Sequence, residues 1–284
     1  MTAVILPAPA KINLYLSITR IRQDGMHELD TAFAFSEACD YLHFNQADSI
    51  HVTCSRPHLG GESNLVHRVL TAFKERHGIQ QGLAVHIDKH IPEQAGLGGG
   101  SSDAATALIA ANTLWSTAIG RDELIAFAAP FGADIPCFLY GKASIARGIG
   151  ESLCDYPAPL PDHTMLLAWP GTGLSTASVF QYFDSTHPAL TAPEGVDTIR
   201  RGIDDLGHND LEEAACSMSQ PLTQLLACLR QHTDLAWMSG SGSACVGLFR
   251  SSNQAAEVAQ ILQNRGVANW THTGSICKEH PVQL

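Results

Sequence analysis

The densest chemistry-bearing segment of this chain is Gly96-Leu97-Gly98-Gly99-Gly100-Ser101-Ser102, which stands between an alternating apolar run and an alanine-rich stretch. Consecutive glycines remove side chains from the backbone, so that amide N–H groups can approach an anion directly. A helix beginning here adds the positive end of its dipole. Ser101 and Ser102 supply hydroxyl donors, or an oxygen for a metal ion that bridges phosphates. The chemistry this segment suits is polyphosphate binding. A Walker A loop would end Gly-Lys-Ser/Thr, and Gly-x-Gly-x-x-Gly fails from both Gly96 and Gly98, so the loop is neither of the two commonest phosphate cradles. A second glycine-serine turn, Met238-Ser239-Gly240-Ser241-Gly242-Ser243-Ala244, lies between two apolar runs. Alone it reads as a β-hairpin turn; paired with the first loop, it can close on a ligand from the other side.

Elements must position these loops. Ile12 to Ile18 alternates as a strand, followed by a turn at Gln23-Asp24-Gly25. Residues 63 to 78 predict a helix started by Ser63 or Asn64 and stopped by Gly78. Leu83, Val85 and Ile87 alternate as a strand leading into the glycine loop, and a helix is expected to start at Ser101-Ser102-Asp103, where serine or aspartate caps free amides. A further helix is expected near Asp122 to Ala129, broken by a turn or strand over Phe131 to Pro136. The Pro-rich stretch Tyr156 to Pro161 predicts a linker, dividing the chain into domains of residues 1–156 and 162–284. Beyond it the order reads strand (164–168), helices (209–232), strands flanking Ser239 to Ser243, helix (254–265) and strand (268–273), a split βαβ arrangement.

With 284 residues, 45% hydrophobic and 16% charged, the chain has material for two modest cores, which favours two domains. A net charge of −11 excludes the broad basic surface that non-specific nucleic-acid binding needs, without excluding an anionic small molecule. No run approaches the roughly 18 apolar residues of a membrane span, and MTAVILPAPAK lacks a signal-peptide pattern, so a cytoplasmic protein is expected. The eight cysteines form no Cys-x-x-Cys pair and read as reduced thiols. Among 14 histidines, His86 and His90 share one side of a strand, but no third ligand is spaced to join them; no protein-held metal site is predicted. Lys89, Arg20, Arg22 and Arg147 are expected at the solvated surface.

The sequence resembles the GHMP kinase superfamily. The motifs are Pro9-Ala10-Lys11-Ile12-Asn13-Leu14 with Asp24-Gly25-Met26-His27 behind it, Pro92 to Ser102 continuing into Asp103-Ala104-Ala105, and Ser239 to Ser243. Gly132-Ala133-Asp134-Ile135-Pro136 and Asn209-Asp210-Leu211-Glu212 follow the same pattern in order. The resemblance implies an α+β fold with an N-terminal ATP-binding domain, a C-terminal ferredoxin-like domain and the active site between them. It implies ATP as cofactor, carried as its Mg²⁺ complex and held by Pro92, Glu93, Gln94, Ala95, Gly96, Leu97, Gly98, Gly99, Gly100, Ser101 and Ser102. Lys11 and Asp134 are the implied catalytic pair, Asp134 accepting the hydroxyl proton and Lys11 neutralising developing charge. The Asp-Gly-x-His extension implies 4-diphosphocytidyl-2-C-methyl-D-erythritol as substrate, phosphorylated on its 2-hydroxyl in the non-mevalonate route to isoprenoid precursors, with no obligate protein partner. Asn13, Met26, His27, Thr176 and Phe180 are the implied substrate contacts, Phe180 against the cytosine base. The chain departs from the family at Met26, where an aromatic residue is usual, so the base is expected between Phe180 and a thioether. A homoserine or mevalonate kinase of the superfamily would keep the loop and lose Asp-Gly-x-His; a non-catalytic nucleotide-binding module would lack Lys11 or Asp134.

Overall fold

The computed structural model describes residues 4–187 and 206–284. The chain opens with two long antiparallel strands, β1 (Val4–Ile21) and β2 (His27–Ala47), joined by the turn at residues 23–25. β2 is the strand on which the molecule is assembled: β1 runs along its length, while β4 (Gly82–Asp88) pairs with it over residues 41–47 and β5 (Ser144–Gly148) over residues 29–33. β3 (His51–Cys54) adds parallel to β4, and β6 (Ser152–Asp155) adds to β5.

Helices cover one face of this first half. α1 (Leu65–Arg76) is capped by Asn64, whose Oδ1 accepts from the Val66 amide, and it buries Val66, Val69, Leu70 and Phe73. α2 (Gly99–Leu114) is apolar all round, as suits a helix enclosed by others; it packs on α1, on β1 and on α4 (Ile135–Tyr140), which α3 (Arg121–Ala128) precedes. The expected serine or aspartate cap is corrected here: α2 begins at Gly99, with Gly98 as N-cap in the left-handed region (φ 68°) and no side-chain cap. The expected turn is present at residues 133–134, but a helix follows it and no strand: α4 starts at Ile135, where Pro136 in the first helical turn forfeits an amide that had no partner there.

The second half is a four-stranded antiparallel layer of β7 (Thr164–Trp169), β8 (Ala236–Met238), β9 (Cys245–Phe249) and β10 (Trp270–Cys277), in the order β10-β7-β9-β8. With α7 (Gln220–Arg230) and α8 (Ser252–Asn264) on one face, this is the expected split βαβ layer. Among the described residues the two halves share one ten-stranded sheet, because β10 pairs with β7 and also meets β2 at Ile276–Ser36 and Cys277–Phe35. α5 (Thr176–Thr186) and α6 (Glu212–Met218) flank the junction. Among the described residues, no helix is long and apolar enough to cross a membrane, and all eight cysteines are free.

Candidate active site

β4 delivers the chain into the glycine loop, where Gln94, Gly96 and Gly98 all adopt positive φ (51°, 76° and 68°). The loop is held by backbone bonds from other elements. The Lys11 amide donates to the Leu97 carbonyl (2.9 Å) and the Ala244 amide to the Ala95 carbonyl (2.9 Å). Gly96 is required twice over: its φ suits no ordinary L-residue, and a Cβ there would run into the Ser239 carbonyl oxygen. Leu97 points into the core, while the first turn of α2 keeps its amides free of any side-chain cap and open to an anion. The two serines divide. Ser101 lines the cleft, whereas Ser102 is fully buried, its hydroxyl without a protein partner.

Beneath the loop lies a cluster built on Lys89, which the sequence reading placed at the surface. Lys89 is buried, its ammonium bonded to Asp40 and, at 2.8 Å, to Asp103. Asp40 also accepts from the His90 and Ile91 amides (2.6 and 2.8 Å), fixing the entry to the loop. Burial alone would lower the Lys89 pKa, but the flanking carboxylates raise it; burial pushes the Asp103 carboxyl up against the pull of Lys89. Arg147 pairs with Asp30 at 3.5 Å, and Arg22 with Asp24 at 3.1 Å.

Lys11 is buried on β1, and its Nζ donates to Asn13 Oδ1 at 2.6 Å. Asn13 is oriented from the other side, where its Nδ2 donates to Thr31 Oγ1 on β2 (2.8 Å). Asp134, at the N-terminus of α4, sits 3.9 Å from the same ammonium with 36% of its side chain exposed. A desolvated cation beside a solvent-reachable carboxylate suits a reaction that releases a proton and builds negative charge. Phe33 adds its ring face 5.2 Å from the ammonium.

The second glycine-serine turn is the hairpin between β8 and β9, and it also closes on the first loop. Ser239 Oγ accepts from the Asn13 amide at 3.2 Å, and a Cβ on Gly240 would lie 3.2 Å from Lys11 Nζ. Asn209 clamps the turn, its Nδ2 donating to the Met238 and Gly240 carbonyls (2.7 and 2.8 Å). Ser241 shares a 2.8 Å hydrogen bond with Thr176, the first residue of α5. One turn along α5, Phe180 lies 4.5 Å from the His27 ring, tilted by 38°. His27 Nε2 is bonded to Asp184 Oδ1 at 2.6 Å, another turn further on. Met26 is exposed beside them, its amide donating to Asp24 Oδ1.

These groups line a cleft of about 660 Å³. Of the residues implied by resemblance, Lys11, Asn13, Asp134, Thr176, Phe180, Pro92 to Gly96 and Gly98 to Ser101 line it; Leu97, Ser102, Met26 and His27 stand outside its wall. The sequence reading missed Lys89 and Asp103, and at the far end Leu59, Ser63, Asn64 and Leu65. It also missed Asp184, detectable only by extending a helix from Ser175, whose hydroxyl caps α5. The expected strand spacing of His86 and His90 does not hold, since β4 ends at Asp88: His86 bonds Thr53, and His90, beyond the strand, bonds Asp88.

A glycine loop at a helix start, closed by a second glycine-serine turn over a lysine and an aspartate, defines a small-molecule kinase site. Residues 64–142 match the GHMP kinases N terminal domain and residues 188–268 the GHMP kinases C terminal domain, and the chain belongs to the GHMP kinases. It is 38% identical over 258 residues to the 4-diphosphocytidyl-2-C-methyl-D-erythritol kinase of Cupriavidus taiwanensis, covering 90% of this chain and 88% of that protein. It is 36% identical over 283 residues to the enzyme of the same name from Dechloromonas aromatica, covering 97% and 98%. Among solved structures, a 4-(cytidine 5'-diphospho)-2C-methyl-D-erythritol kinase superposes with a TM-score of 0.78 at 33% identity, over 96% of this chain and 100% of that one. A homoserine kinase from Cytophaga hutchinsonii shares the fold at 15% identity, with a TM-score of 0.64 over 99% and 96% of the two chains.

Proposed function

We propose that this protein transfers the γ-phosphate of ATP to the 2-hydroxyl of 4-diphosphocytidyl-2-C-methyl-D-erythritol, with Lys11 and Asp134 at the reacting centre. The observation that carries the reading is one cleft in which the glycine loop, the Lys11–Asp134 pair and the α5 face bearing Thr176 and Phe180 follow one another. Phosphates placed on the α2 amides point their terminal group at Lys11, and the acceptor approaches from the α5 side. The leucines at the far end, Leu59 and Leu65, offer an apolar seat for the adenine.

Phosphoryl transfer of this type is mainly a matter of placement and charge. The hydroxyl oxygen attacks the γ-phosphorus, its proton passes to Asp134, and the bond to the ADP oxygen breaks. Lys11, fixed by Asn13, stabilises charge on the hydroxyl and the transferring group. Mg²⁺ travels with ATP, and the residues beside the loop fit it: Ser101 faces the cleft, and Asp103 Oδ1 is a buried acceptor without a protein partner. When bound, the ion supplies neutralisation of phosphate charge. His27, steadied by Asp184, and Phe180 offer a ring surface and a polar edge for cytosine. Met26 extends that surface in place of the usual aromatic residue. The linker at residues 156–161 is the proposed boundary between the ATP-binding and ferredoxin-like domains. Reduced thiols throughout and dependence on ATP favour the cytoplasm.

The test is ADP release with ATP and Mg²⁺ against a panel of alcohols: the diphosphocytidyl substrate, homoserine and mevalonate. The reading expects turnover with the first alone. Background rates with it, or faster turnover of either other alcohol, refute the assignment.

A further inference from the structure

We infer that residues 278–284 are a brace that holds Asp134 in register with Lys11, with His280 as a positioning residue for the transfer step; this rests on the reaction proposed above. α4, the helix that Asp134 begins, is only six residues long and contains a proline. A helix that short has little stability of its own and must be fixed by what packs on it.

After β10, the chain returns to the exit of α4 and bonds to the backbone on either side of Lys142. The His280 amide and Gln283 Nε2 both donate to the Gly141 carbonyl (3.0 and 3.3 Å), and the Ala143 amide donates to the Lys278 carbonyl (2.6 Å), so that Lys142 and Glu279 face each other across an antiparallel backbone bridge. The Gly141 carbonyl, which has no partner further along its own helix, is thereby satisfied from outside. His280 itself is buried, its ring edge-on to Phe35 (5.5 Å, 87°) and Phe138 (6.3 Å, 82°).

Phe138 connects this wedge to the reacting centre. It lies one helical turn beyond Asp134 and is fully buried. Its ring packs on the glycine loop at Gly98, where an added Cβ would meet Phe138 at 3.1 Å and Lys11 Cγ at 2.9 Å. The rings of His280 and Phe138 and the stem of Lys11 therefore form one packed line. Removing the His280 ring leaves a void against Phe138 into which α4 can shift, and Asp134 moves with it while the loop amides remain. The chemical step then suffers more than nucleotide binding does.

The experiment compares His280→Ala, His280→Phe and Gln283→Ala with wild type by steady-state kinetics, equilibrium ATP binding and thermal melting. A misplacement of about 1 Å can cost about 10²-fold in rate, so His280→Ala is expected to lose about 10- to 100-fold in kcat with ATP affinity within about twofold. His280→Phe, which keeps a ring in the wedge, is expected to recover most of the rate. A folded His280→Ala with wild-type kcat overturns the inference, as does His280→Phe failing equally. If His280→Ala does not melt cooperatively, Gln283→Ala decides, since its side chain is exposed and reaches Gly141: a severalfold loss of kcat supports the brace, and wild-type kcat overturns it. Should wild type phosphorylate a different alcohol from the one proposed, the substrate reading alone fails, and the same variants are compared on that alcohol.

Discussion

Replacing Gly96 by alanine tests the contact between the two glycine-serine loops, on which the cleft depends. Gly96 has φ 76°, and an alanine Cβ would collide with the Ser239 carbonyl oxygen and lie 3.0 Å from the Gly242 amide. Holding an L-residue in the left-handed region costs roughly 1–2 kcal/mol. Relieving the collision separates the loops and strains two bonds, Ala244 amide to Ala95 carbonyl (2.9 Å) and Asn13 amide to Ser239 Oγ (3.2 Å), each worth about 1 kcal/mol net. The sum is about 3–4 kcal/mol, a large part of the roughly 5–15 kcal/mol by which a native protein is stable. The same movement displaces the α2 amides from Lys11, so kcat/KM for ATP is expected to fall by about 10² or more. Urea unfolding and steady-state kinetics read the two effects. Gly100→Ala is the control: a Cβ there meets nothing within 4 Å, so stability should hold or rise slightly, as alanine favours helix. Wild-type stability and wild-type kcat/KM for ATP in Gly96→Ala would refute the reasoning.

Lys89→Met leaves Asp40 and Asp103 buried without their cation, and is expected to destabilise the fold by about 3–5 kcal/mol in urea unfolding at neutral pH; restoring one neutral partner with Asp103→Asn in the same chain should recover part of the loss. Burial lowers the His280 pKa to about 4, so the folded state holds the ring neutral while the unfolded chain takes up a proton near the ordinary value of 6.5. The stability contribution is thus present above about pH 6.5 and lost as pH falls toward 4, roughly 2 kcal/mol of it by pH 5. Comparing the pH dependence of unfolding in wild type and His280→Phe isolates this group, and identical slopes between pH 7 and 5 would contradict the assignment.

Much of the site was legible because local chemistry dictates it. Glycines where φ must be positive, a strand before them and alanines after them mark the loop without any partner in view. The alternation of Leu83, Val85 and Ile87 gave β4, and Asn64 gave the start of α1. What the sequence hid depends on distant contacts. Lys89 looks like a surface cation until β2 brings Asp40 beside it, a residue 49 positions away. Asp184 acquires its role only when α5 folds over His27, 157 positions earlier. Ser102 reads as equivalent to Ser101, but the helical turn of 100° per residue sends one to the cleft and the other to the core. The short α4 after the turn at 133–134 went unread because its proline breaks the pattern that longer helices display.

The most direct measurement is single-turnover phosphoryl transfer by Asp134→Asn with ATP, Mg²⁺ and 4-diphosphocytidyl-2-C-methyl-D-erythritol. Asparagine keeps the size of the side chain and removes the proposed proton acceptor 3.9 Å from Lys11. Loss of a general base lowers rate by about 10² to 10⁴, and that fall is expected in the chemical step with the affinities for both substrates little changed. A chemical step near the wild-type rate, with only binding weakened, would contradict the account.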